Sequence, residues 1–183
     1  MKTLIHRTPA AGMPFVLSDL KWHLRVDHSD DDTAITNIGC TAAAELEDFA
    51  QIALLTQTIR VTVFAPEVSV GGFTLPIGPV IDSDTVTVSL DGADFTGFEF
   101  VPGKRRPYLR WLDSYYDAAP ERLAIEYQAG FGADASAIPI DLAQAIMDQA
   151  ALYYDGRSPM DRKALTTSPH MARIGARYRG VQA

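Results

Sequence analysis

DDDTAITNIGCTAAAELEDFAQIAL, residues 30–54, is the stretch on which the fold turns. Ile35, Ile38, Ala42, Leu46, Phe49 and Ala53 recur at steps of three and four, which draws an apolar stripe of helical period. Ala42, Ala43 and Ala44 are small enough to let a second helix approach closely. Ser29 or Asp30 is placed to cap the helix, and Asp30, Asp31 and Asp32 put negative charge where unpaired backbone amides point outward. A helix is expected from about 30 to 54. Cys40, beside the stripe, is expected to be a buried small residue.

Working outward from this helix, the period changes at once on the C-terminal side. Thr58-Ile59-Arg60-Val61-Thr62-Val63 alternates strictly, as a half-buried strand does. Thr85–Leu90 alternates again, Asp91-Gly92 has the chemistry of a hairpin turn, and short apolar runs follow at 98–101, 108–111 and 123–127. Toward the N-terminus, Ser18 is placed to cap a short helix at about 18–27, with Leu20 and Leu24 on one face. Near the C-terminus Pro139 suits the first turn of a third helix, and Ile138, Leu142, Ile146, Gln149 and Tyr153 share a side until Gly156 stops it. Ser158-Pro159 and Ser168-Pro169 then break the chain.

The predicted fold is α+β. A predominantly helical core of three main helices, at about 18–27, 30–54 and 139–155, carries a small antiparallel sheet inserted at about 58–128. Residues 1–156 are read as one body and 157–183 as an extended, basic C-terminal tail of weak amphipathicity. Charge follows the same division. The 183 residues carry a net −7, but 157–183 hold six basic residues against one acidic, leaving −12 on 1–156. An acidic body repels nucleic acid, while a short basic end suits an acidic protein surface.

Chemistry-bearing clusters fail on inspection. A calcium loop starting at Asp27 needs glycine at its sixth position and glutamate at its twelfth, where Asp32 and Ile38 stand. His23 and His28 are five apart, not the four that aim two imidazoles from one helical face. His6 and His170 have no recognisable companions in the sequence. Gly130-Phe131-Gly132 lacks the lysine and hydroxyl residue of a phosphate loop, and Lys104-Arg105-Arg106 reads first as a solvated turn, with a neighbour-subunit contact or a phosphate contact as the alternatives. No catalytic, cofactor-binding or metal-binding set is predicted, and the chain is expected not to be an enzyme. The single cysteine excludes an internal disulfide and fits a reducing cytoplasm. No apolar run is long enough for a membrane span, and the start of the chain does not read as a signal peptide.

An ordered set of segments resembles the head–tail connector (adaptor) family of long-tailed phages and phage-derived gene transfer agents. It comprises Leu17-Ser18-Asp19-Leu20-Lys21-Trp22-His23-Leu24-Arg25-Val26-Asp27, Asp30-Asp31-Asp32, Ile35-Thr36-Asn37-Ile38 and Ala42-Ala43-Ala44-Glu45-Leu46-Glu47. Leu55-Thr56-Gln57-Thr58, Leu75-Pro76-Ile77-Gly78-Pro79-Val80, Tyr127-Gln128-Ala129-Gly130-Phe131-Gly132 and the run from Ile138 to Tyr154 continue it. The resemblance spans about residues 14–156. It implies a virion protein at the head–tail junction, assembled in the bacterial cytoplasm. It further implies self-association into a ring, commonly of twelve copies, beneath the portal protein. Neck, stopper or tail-completion proteins would dock on the other side, and DNA would pass through the lumen without sequence-specific binding.

Members of this family reach into the portal with their C-terminal segments. In the basic end of this chain, which departs from the family's pattern in its length and its two Ser-Pro breaks, the candidate portal-binding residues are Arg162, Lys163, Met171, Arg173, Ile174, Arg177, Tyr178 and Arg179, with a disordered end as the alternative. The arginines are expected to pair with portal carboxylates and the apolar groups to fill a groove. Removing residues 170–183 is expected to leave a folded protein that no longer joins the portal. A DNA-binding or DNA-packaging accessory protein is the alternative reading, permitted by the basic end and opposed by the acidic body.

Overall fold

The computed structural model describes residues 2–67, 71–80, 82–103, 107–156 and 166–179. The chain divides into two compact units: residues 1–10 with 56–130, and residues 11–55 with 131–183. The fold class is α+β, as the sequence indicates.

The first unit is built from two antiparallel sheets. One has five strands in the order β1 (Lys2–Thr8), β2 (Gln57–Phe64), β8 (Arg122–Ala129), β4 (Thr87–Leu90) and β5 (Ala93–Phe95). The other orders β3 (Gly72–Thr74), β7 (Tyr108–Trp111) and β6 (Phe98–Val101). Strand alternation sets the core. Ile59, Val61 and Val63 of β2 stand opposite Tyr127, Ile125 and Leu123 of β8, and all six are buried. Val88 and Leu90 of β4 extend the same face in register with Ile125 and Leu123. Each such side chain removed from water stabilises the unit by about 1.5–3 kcal/mol. The Tyr127 hydroxyl accepts the Ile77 amide, and burial raises its phenol well above the ordinary range.

Several features of this unit depart from the sequence reading. The sheet at 58–128 is two sheets, and the strand Lys2–Thr8 was not anticipated; it adds to β2 over all seven residues. A short helix, α3 (Asp113–Ala118), is also new, and it buries Tyr115 in a stack on Trp111 with ring centroids 4.4 Å apart. At the β4–β5 turn, Asp91 and Gly92 both have positive φ. That is the geometry the Asp-Gly pair favours.

The second unit packs α1 (Leu17–Leu24), α2 (Asp32–Ala50), α4 (Ile140–Asp155) and α5 (Pro169–Tyr178) against one another. Helix α2 buries Ile35, Gly39, Ala42, Ala43, Leu46 and Ala50. Gly39 marks a close approach: a β-carbon there would stand 2.5 Å from the Phe15 ring and 2.9 Å from Leu20. The buried face keeps Ile35, Ala42 and Leu46 and takes in Gly39, Ala43 and Ala50 in place of Ile38 and Phe49; Cys40 lies off it and is exposed, not buried as expected. The helix also ends at Ala50, four residues early, because Gln51 adopts a left-handed conformation. The Glu47 carboxylate then accepts the Leu54 amide at 2.7 Å, holding the following buried turn.

Neither predicted cap forms. Val16, not Ser18, flanks α1, and Asp31 flanks α2 without a side-chain cap bond. The acidic residues are engaged elsewhere in this unit. Asp32 pairs with Lys21 at 2.5 Å, and Asp31 accepts from the Tyr154 hydroxyl at 2.8 Å.

Candidate docking surface

Of the eight residues expected to bind the portal, Met171, Arg173, Ile174, Arg177 and Tyr178 lie on α5 and Arg179 follows it. Arg162 and Lys163 lie outside the described residues. The remaining six do not form an extended tail. Pro169–Tyr178 is a helix held against the chain's own α2 and α4.

The local reason is the Ser168-Pro169 pair. The Ser168 hydroxyl accepts the Met171 amide at 3.1 Å, and proline at the first helical position has no amide to leave unsatisfied. The same dipeptide that reads as a break is therefore a helix start. Met171, Ile174, Gly175 and Tyr178 then fall at steps of three, one and three, a single helical face. Met171 is 1% exposed and Ile174 2%, so neither is available to fill a groove in a partner while α5 stays docked. A β-carbon at Gly175 would meet the Phe49 ring at 2.4 Å, which fixes how closely α5 approaches α2.

Polar contacts fix both ends of the helix. At its start the Gln149 side chain, fully buried on α4, accepts the Ser168 amide at 2.6 Å and donates to the Thr166 carbonyl at 3.1 Å. The residue before it on α4, Asp148, joins three partners: His170 of α5 at 2.5 Å, His23 of α1 at 3.3 Å and the Gln144 amide at 2.8 Å. His170 thus has companions that sequence spacing did not reveal. At the far end the Tyr178 hydroxyl donates to Asp141 at 2.8 Å, its ring meets Phe131 edge-on, and Arg177 lies 3.7 Å from the second Asp141 oxygen. Removing 170–183 would strip these contacts and expose Leu46 and Phe49, so such a truncation damages the helical unit instead of sparing it.

The outward face of α5 is cationic. Arg173, Arg177 and Arg179 are exposed, with Arg179 also lying over the Phe49 ring at 5.9 Å. Tyr153 on α4 is half-buried. Burial first, and then its bond to Glu45, push its phenol up to about 12. Among the described residues no group of three or more His, Cys, Asp or Glu side chains is arranged to hold a metal ion. No helix among them is long and apolar enough to cross a membrane.

No family model matches the chain, and no curated protein does. Solved structures do. A chain in the neck of an empty gene transfer agent (GTA) particle, computed with C6 symmetry, is 27% identical, with a TM-score of 0.75 over 98% of this chain and 97% of that one. A chain from the virion of a native GTA particle gives 26% and 0.76 over the same shares. The fold is similar to that of these GTA particle chains. A third match, from the neck of a native GTA particle computed with C12 symmetry, gives 27% identity and a TM-score of 0.75. The likeness to these neck proteins covers both units, and with them the strand β1, which the connector resemblance in the sequence did not reach.

Proposed function

We propose that the chain is a structural, non-enzymatic adaptor in the neck of a tailed-phage or gene transfer agent particle, seated between the portal and the tail-side neck proteins. The observation that carries this reading is the end-to-end match, at TM-scores of 0.75–0.76, to chains of GTA necks and virions. Those necks were computed with six-fold and twelve-fold symmetry, which supports self-association into a ring, in twelve copies on this reading. DNA passes through the lumen, and the −12 carried by residues 1–156 keeps it from adhering there. Assembly takes place in the bacterial cytoplasm.

Within this scheme residues 1–156 supply the ring body and 157–183 the portal contact. The docking chemistry is the outward cationic face of α5, Arg173, Arg177 and Arg179, together with Arg162 and Lys163. Met171, Ile174 and Tyr178 act by holding that face in place. An exposed ion pair contributes at most about 1 kcal/mol, so the hold comes from many copies acting together. The test is a chain with Arg173→Glu and Arg179→Glu, mixed with its portal protein. Retained fold with lost portal binding supports the reading, and unchanged binding refutes this docking face.

A further inference from the structure

Helix α5 contains no acidic residue, and its basic side chains differ in what the rest of the chain already gives them. Two aspartates of α4 reach α5, and both are engaged. Asp148 pairs with His170 at 2.5 Å and with His23 of α1 at 3.3 Å. Asp141 accepts the Tyr178 hydroxyl with one oxygen at 2.8 Å and faces Arg177 with the other at 3.7 Å. Arg179, one residue past the helix, lies over the Phe49 ring at 5.9 Å.

Arg173 is different. Its side chain is exposed, and among the described residues it meets no carboxylate and no aromatic ring. Pro169 and Ala176, its exposed neighbours about one turn away, are short and uncharged, and Arg177 beyond them is turned to Asp141. A planar guanidinium standing clear of its own chain can take both oxygens of an incoming carboxylate.

What an arginine gains from a partner is the new contact less the one given up. At Arg177 an incoming carboxylate replaces a carboxylate already there. At Arg179 it draws the cation off an aromatic face that attracts it. At Arg173 it displaces only solvent.

We infer that Arg173 determines the specificity of the α5 docking face for an acidic partner surface. Asp141 and Phe49 hold Arg177 and Arg179 to their own chain and keep them largely out of that contact. This inference rests on the portal-docking reading above, and the two fail on different outcomes.

Full-length chain and single variants are titrated onto immobilised portal protein from the same source, and hydrogen exchange over 169–178 confirms that α5 stays docked in each. Arg173→Ala should weaken apparent affinity at least about five-fold, and Arg177→Ala and Arg179→Ala less than about two-fold each, within the span of exposed ion pairs. Asp141→Asn keeps an acceptor for the Tyr178 hydroxyl and removes the charge facing Arg177. Added to Arg173→Ala, it should raise affinity at least about two-fold by releasing Arg177, a gain that mere disturbance of α5 would not produce. Losses at Arg177→Ala or Arg179→Ala that equal or exceed the loss at Arg173→Ala overturn the inference and leave docking through α5 standing. No gain from Asp141→Asn in the Arg173→Ala chain overturns the part assigned to Asp141. Binding that survives all three alanines together refutes docking through α5, and the inference with it.

Discussion

Ile174→Ala tests whether α5 belongs to the free subunit's core. Ile174 is 2% exposed, on the face of α5 that meets α2 and α4. Truncating a buried isoleucine to alanine costs about 2–5 kcal/mol, the lost transfer energy plus the cavity left behind. Because α5 is a terminal helix, the chain has an escape: α5 undocks, and the global cost is capped at its docking energy. Local opening is therefore the right readout. A loss of 2 kcal/mol corresponds to about a thirty-fold gain in opening, and 5 kcal/mol to several thousand-fold. Hydrogen exchange followed by mass spectrometry should show peptides covering 169–178 exchanging at least about thirty-fold faster in the variant. Peptides from 57–64 and 122–129 should be unchanged. Arg173→Ala, on the exposed face, should shift the same peptides by less than about 0.5 kcal/mol. Slow exchange of α5 that survives Ile174→Ala, or unprotected exchange of α5 in the unmodified chain, would refute the packing argument.

Gly39→Val should destabilise the helical unit by about 1–3 kcal/mol in urea titration, because its β-carbon has no room beside Phe15 and Leu20; an unchanged midpoint would mean that α1 does not approach so closely. The exposed Cys40 thiol should react with a thiol reagent in the native state without prior unfolding, and Cys40→Ser should alter stability by less than about 0.5 kcal/mol. The unfolded Tyr153 phenol ionises near 10 and the folded one at about 12. The unfolded chain therefore sheds this proton first, and the stabilisation, fully present below pH 10, is lost as pH climbs to about 12. Tyr153→Phe should flatten that alkaline decline, and an unaltered pH profile would contradict the assignment.

The sequence made legible whatever repeats along the chain. Ile35, Ala42 and Leu46 announced α2 through their spacing, and Ile59, Val61 and Val63 announced β2 through alternation. What it hid depended on partners far away. Strand β1 escaped notice because Leu4 and Ile5 are adjacent and both exposed, so no alternation marks it. The α2 cap was placed on Ser29 or Asp30, but Asp31 flanks the helix without a side-chain cap bond, and its carboxylate accepts from Tyr154, a residue remote in sequence. The cluster of His23, Asp148 and His170 joins three helices and has no signature in spacing. Helix α5 is a different case. Its signal was present in Ser168-Pro169 followed by Met171, Ile174, Gly175 and Tyr178, but a serine–proline pair serves as helix start and as chain break alike. Only packing against Phe49 and Gln149 decides between them.

The central claim is that this chain works as one of many identical copies in a particle neck, through surfaces and not through bond-making chemistry. Cryo-electron microscopy of mature particles from its own source tests that most directly. The account predicts both units of this chain, repeated in a closed ring against the portal, with the α5 arginines turned toward it. A neck in which this fold is absent, or a lone subunit that turns over a substrate, would contradict it.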